Sequence, residues 1–138
     1  MAEFLTGGCL CGRVRYVASG EPVFAGVCHC HDCQRSTGSA FQPVMAFAAQ
    51  AVSLTGALQT YQGTGDSGGA VFRRFCPGCG SHMAHEVEVM PGFVMILAGT
   101  LDDPKAFQPT MEIYCDSAQP WVHLGGERAR FGKMPPSA

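Results

Sequence analysis

Apolar and polar residues alternate in short runs along most of this chain. Val14 and Tyr16 alternate with Arg13 and Arg15, and LQTYQ at 58–62 alternates again. A period of two is the signature of a strand with one wet face. Residues 22–28, 44–54, 70–75, 83–89, 93–97 and 111–115 are more continuously apolar, and their lengths suit buried strands. The breaks between them carry turn chemistry: Gly56, the GTGDSGG loop at 63–69, and the turn at Met90, Pro91 and Gly92. Only two places suggest helix. One is a single turn at 34–39, and the other is 102–106 with Asp102 as a cap. The CxC of Cys9 and Cys11 looks like that of Cys28 and Cys30, but the residues after them diverge, so no internal repeat is supported. The expectation is a mainly β chain of short antiparallel hairpins.

Composition narrows this further. A length of 138 residues is that of a single domain, expected over 1–138 with a flexible tail from about 132. With 18 glycines and 9 prolines, turns should be many and long helices absent. The net charge of -2 offers no general attraction to nucleic acid or anionic lipid, and Arg73 with Arg74 makes only a two-residue basic patch. No run approaches the roughly 18 apolar residues of a membrane helix. The start, MAEFLTGGCLCG, lacks the basic region and apolar block of a secretory signal. A cytoplasmic protein is therefore expected. There, 8 cysteines point to metal rather than to disulfides, with a secreted disulfide scaffold as the alternative.

The cysteines fall into three groups and a singleton. In FCPGCG, Cys76 and Cys79 can converge on one ion while Gly80 lets the chain turn. A structural zinc site wants four ligands, and Cys9 and Cys11 in GGCLCG are the natural completion; a redox dithiol is the alternative. Cys28, Cys30 and Cys33 in CHCHDC then make a second group with no obvious fourth cysteine. Catalytic zinc commonly has three protein ligands and an exchangeable position. Closure by Cys115, His29, His31 or Asp32 is the structural alternative, and a labile or absent metal another. In an extended segment His29 points away from Cys28 and Cys30, which favours hydrogen bonding or packing over ligation. Arg35 is a candidate to offset thiolate charge or hold a substrate carboxylate. Cys115 and Trp121 read first as packing residues. His85 and Glu86 do not complete an HExxH motif, and the GTGDSGG loop lacks the GK[ST] ending of a P-loop. Four thiolates suit iron as well as zinc.

GGCLCGRVRY, CHCHDCQRSTGSAF and RRFCPGCGSHM, in this order, resemble the glutathione-dependent formaldehyde-activating enzyme family, which includes centromere protein V. A weaker likeness runs on through LAGTLDDP to Trp121, so it extends from Gly7 to about Phe131. The resemblance implies a mostly β, Mss4-like fold stapled by zinc, with two Zn²⁺ per chain. It implies Cys9, Cys11, Cys76 and Cys79 as a structural site, and Cys28, Cys30 and Cys33 as a potentially catalytic one. It also implies a carbon–sulfur lyase acting on an adduct of glutathione and formaldehyde, with a small-molecule thiol as partner and neither nucleic acid nor membrane. The expected proton carriers are the nearby His29, His31 and Asp32, with no choice among them. The alternative is a non-enzymatic, zinc-stabilised protein-binding module.

Overall fold

The computed structural model describes residues 4–136. Eleven strands carry the fold: β1 (Phe4–Gly8), β2 (Arg15–Ser19), β3 (Phe24–Cys28), β4 (Gln42–Ala48), β5 (Val52–Thr55), β6 (Gln59–Thr64), β7 (Ala70–Phe75), β8 (His82–Val87), β9 (Phe93–Leu97), β10 (Met111–Ile113) and β11 (Ala129–Arg130). The α-helix is α1, His31–Thr37.

The strands make two sheets. The smaller has the order β1-β2-β5, and the larger β11-β10-β3-β4-β9-β8-β7-β6. Pairing is antiparallel except at β10, which runs parallel to both β3 and β11. The mainly β architecture is thus as expected and is of the Mss4-like type, but the hairpins merge into one large sheet and two pairings are parallel.

One face of the large sheet packs on the small sheet. Tyr16 and Ala18 of β2 meet Met45 and Phe47 of β4, Ala84 of β8, and Val94 and Ile96 of β9. The β2 alternation produces this directly, since Arg15 and Val17 face outward while Tyr16 and Ala18 are buried. Each large apolar side chain here contributes about 1.5–3 kcal/mol by leaving water. The opposite face gathers Val44, Ala46 and Met95 with Phe24. The three-cysteine segment and α1 lie on that side.

Several boundaries differ from the sequence pattern. The single strand expected over 44–54 is two, split by a 3₁₀ turn at Ala49–Ala51, and its halves belong to different sheets. The alanine-rich AAQA has no β-branched residue to keep the chain extended, and Ala49 N–H is drawn instead to the Gly92 carbonyl at 2.8 Å. Strand β6 runs into the expected loop as far as Thr64. Asp102 does not cap a helix. It accepts from Thr6 and Arg15, while Asp103 caps the turn Pro104–Ala106. Of the tail expected from about 132, Gly132 and Lys133 accept from the backbone of Asp116 and Tyr114, and residues 137–138 lie outside the described part.

Candidate metal centres and the adjoining groove

Cys9 and Cys11 stand in the loop between β1 and β2, and Cys76 and Cys79 in the turn between β7 and β8. Leu10 N–H donates to Ser81 Oγ at 3.0 Å and joins the two loops, while Cys76 N–H donates to Ser81 O at 3.0 Å and closes the second loop on itself. The four sulfur atoms lie within 4.8 Å of one another, with Cys9–Cys11 at 3.6 Å and Cys11–Cys76 at 3.8 Å. A tetrahedron with metal–sulfur bonds of about 2.3 Å has edges of about 3.8 Å, so the four thiols fit one ion. Donors favour the thiolate at two of them, while burial and the neighbouring sulfurs push Cys11 up to about 11. Val14 N–H, 3.3 Å from Cys9 Sγ, lowers that thiol, and the Ser81 hydroxyl and backbone hold Cys79 down to about 5. All eight cysteines are free thiols.

Cys28, Cys30 and Cys33 form a second group within the same 4.8 Å limit. Cys28 ends β3. Cys30 is the N-cap of α1, its sulfur accepting from Cys33 N–H at 3.2 Å, and Cys33 lies in the first turn. Gly38 closes the helix in the left-handed conformation. The helix therefore starts at His31, earlier than the expected 34, because a cysteine replaces the usual Ser, Thr, Asp or Asn cap. The Cys33 thiol donates to Cys28 Sγ at 3.3 Å. Hydrogen bonds from Cys28 and Cys33 pull Cys30 down to about 2, with the charge of Arg73 adding to the effect. In turn, the bond to Cys30 pushes Cys28 up to about 12, and its two partners together with burial push Cys33 up. Among the three, negative charge is favoured on Cys30. Three thiolates at this spacing call for a cation, and the donor set suits zinc.

The flanking residues separate to two sides. His29 is 1% exposed, and its Nε2 lies 2.8 Å from Glu112 Oε1. Glu112, 2% exposed, also accepts from Arg128 at 3.0 Å, with Arg130 at 3.7 Å. Burial raises this carboxyl, but the bonds from His29 and Arg128 outweigh it and hold the pKa low. Cys115 gathers with His29 and Glu112, not with the three cysteines. That third group already has two guanidinium neighbours, which oppose a further cation there. His31 and Asp32 are exposed on α1, and Arg35 Nε donates to His31 Nε2 at 3.3 Å.

On the other side runs a groove between α1 and the β6–β7 end of the sheet. A cavity of about 360 Å³ is lined by Asp32, Arg35, Ser36, Tyr61, Gly63, Thr64 and Arg73. An adjoining one of about 230 Å³ shares Ser36, Tyr61 and Arg73 and ends on Phe75, Gly80 and His82. Register explains the shared wall, because Tyr61 pairs with Arg73 and Arg73 with His85 across three strands. Arg73 Nε, both ring nitrogens of His82 and Nδ1 of His85 are buried without a hydrogen-bond partner. Burial and the Arg73 charge lower His82 to about 4. Burial, His82 and Arg73 lower His85 to about 3.

The model of the glutathione-dependent formaldehyde-activating enzyme family matches residues 4–117. The chain belongs to that family. The match takes in both cysteine groups, α1 and the groove, and ends before Trp121. A crystal structure of a Rhodobacter sphaeroides protein shares the fold, with a TM-score of 0.55 at 22% identity over 73% of this chain and 93% of that one. No curated protein matches the sequence. Among the described residues no helix is long and apolar enough to cross a membrane.

The groove is built largely from residues to which the motifs gave no functional role. Arg73, His82, His85 and Tyr61 carry no spacing signal. One clue was available in VFRRF, where alternation puts Arg73 on the same side of a strand as Val71 and Phe75. An arginine in an apolar row is unusual. Its neighbour Arg74 faces the other way and pairs with Glu86 at 2.8 Å.

Proposed function

We propose that this member of the formaldehyde-activating family is a zinc-dependent carbon–sulfur lyase that forms and cleaves S-hydroxymethylglutathione. One ion would be held by Cys9, Cys11, Cys76 and Cys79 for structure, and another by Cys28, Cys30 and Cys33 for chemistry. The observation that carries this reading is a group of three thiols with no fourth cysteine beside it, flanked by a groove with cationic walls. Zinc at this group would supply Lewis acidity and favour the thiolate form of sulfur at neutral pH.

The chain's own residues supply the rest. In the cleavage direction the carbon–sulfur bond breaks, its electron pair leaves with sulfur, and the hydroxyl proton departs as the aldehyde double bond forms. His82 is the proton acceptor in this scheme. It lines the groove and both ring nitrogens lack a partner; with its pKa lowered to about 4 it is a weak base that holds the proton only in passing and gives it up readily. His29 is engaged with Glu112 and His31 with Arg35, which leaves them less suited to the role expected of them. In the reverse direction the protonated His82 returns its proton to the alkoxide oxygen. Arg73 biases the site toward anionic sulfur through its charge near Cys30.

Native mass spectrometry, with and without glutathione, tests the metal half of the reading. Two zinc ions per chain, a glutathione adduct, and loss of the adduct with retention of one zinc in Cys30→Ser are expected. Turnover of S-hydroxymethylglutathione, followed by NMR above its uncatalysed rate, tests the other half. One tightly held ion, no adduct and no turnover would instead favour a zinc-stabilised binding module.

A further inference from the structure

The groove carries more charge than the influence of Arg73 on Cys30 accounts for. Two guanidinium groups, Arg35 and Arg73, and one carboxylate, Asp32, line it together with the hydroxyls of Ser36 and Thr64. Among the described residues Arg73 makes no ion pair and no side-chain hydrogen bond, and its Nε is buried. Arg73 is half-buried, and its buried Nε–H without an acceptor is costly, a cost that an incoming carboxylate offsets with two parallel charge-assisted bonds. Space is reserved for it as well. A Cβ at Gly63 would stand 3.6 Å from Arg73 Nη1 and 3.3 Å from the Tyr61 ring, so glycine keeps the groove open beside both.

We propose that this groove holds the carboxylate-bearing arm of a zwitterionic peptide thiol, with Arg73 as the specificity-determining contact. The inference rests on the reading that the thiol's sulfur lies at Cys28, Cys30 and Cys33. Arg35 stands on the exposed rim as a second carboxylate contact, and Asp32 faces the ligand's ammonium group. The ligand class is therefore a small peptide carrying more carboxylates than ammonium groups, which is the charge pattern of glutathione. A phosphate-bearing thiol fits less well, because Asp32 repels a dianion placed between the two arginines. Neutral thiols such as 2-mercaptoethanol would reach the sulfur site but leave Arg73 unpaired.

The test uses S-methylglutathione, which has the carboxylates and the ammonium group but cannot become a thiolate. Titration of the zinc-loaded chain, followed by NMR, should shift the Arg73 Nε–H and Tyr61 signals. Arg73→Met and esterification of both carboxylates should each weaken binding about tenfold or more, and the two changes together should weaken it little further. Gly63→Val, which narrows the groove and leaves both charges in place, should weaken binding too. Unchanged zinc content and urea midpoint in these variants show that the fold is intact. Equal binding of the diester, or undiminished binding to Arg73→Met, overturns the proposal. S-methylglutathione binding that depends on Arg73, without turnover of S-hydroxymethylglutathione, would keep the groove assignment and sink the lyase reading. Turnover that ignores both Arg73→Met and esterification would do the reverse.

Discussion

His85 lies across from Arg73 in the β7–β8 ladder and beside His82, their ring centroids 6.1 Å apart. Two imidazoles and a guanidinium share this small volume, so neither imidazole takes up a proton easily. The consequence for stability has a definite sign. Above pH 6.5 both the folded and the unfolded chain hold His85 neutral. As pH falls below that value the unfolded chain gains a proton, while the fold resists until about 3. Stability is therefore lost as pH drops through this window, at up to about 1.4 kcal/mol per pH unit for one histidine. In urea titrations between pH 4.5 and 7, His85→Gln should show a shallower fall than the wild type. Acid release of any metal held by the thiolates would affect both proteins alike, so the difference in slope reports the imidazole. Single residues were also where the sequence was least legible. The cysteines announced themselves by spacing, but Arg73 and His82 acquire meaning only when three strands bring them to one face.

At the scale of elements, the three-cysteine segment is positioned from two directions. Helix α1 is anchored through its own cap, Cys30, and through Gln34, whose side-chain amide donates to the carbonyls of His29 at 2.7 Å and Ser117 at 3.0 Å. From the other direction, Glu112 on β10 ties β3 to the 128–130 segment through His29 and Arg128. Glu112→Ala would leave a buried guanidinium and an imidazole without their acceptor, which costs about 3–5 kcal/mol. Chemical denaturation should read that loss, and zinc retention at Cys28, Cys30 and Cys33 should fall with it. Sequence pattern located most strands because alternation and glycine turns are local signals. It missed β1, whose FLTGG ends in two glycines and is held extended by pairing with β2 from Phe4↔Ser19 to Gly8↔Arg15. It also joined β4 to β5, since the reason for the break is the Gly92 carbonyl far along the chain. The His29–Glu112 pair, separated by 83 positions, had no local trace at all.

For the whole molecule, the four-cysteine group is the clamp between the two sheets, because Cys9 and Cys11 belong to the small sheet's loop and Cys76 and Cys79 to the large sheet's turn. Loss of an ion held there should therefore cost more than loss of one held by the three cysteines. A strong chelator, or Cys76→Ser, should lower the thermal midpoint sharply and broaden the transition in calorimetry, whereas Cys30→Ser should shift it only slightly. An equal effect of the two substitutions would mean that the groups share the structural load. The mainly β class and the division into two cysteine groups were legible from spacing; the single large sheet was not, because its strand order depends on distant pairings. The spacing also has a meaning in time. Cys28, Cys30 and Cys33 span six positions, so a growing chain can gather them as soon as that segment emerges. The clamp must wait, since Cys11 meets Cys76 across 65 positions, and closing so long a loop carries an entropy cost that only the assembled sheets offset. During synthesis the three-cysteine group is thus complete before the four-cysteine one. A nascent chain arrested before residue 76 would carry metal-binding thiols with no clamp to bury them, and would be a target for oxidation and for the wrong metal.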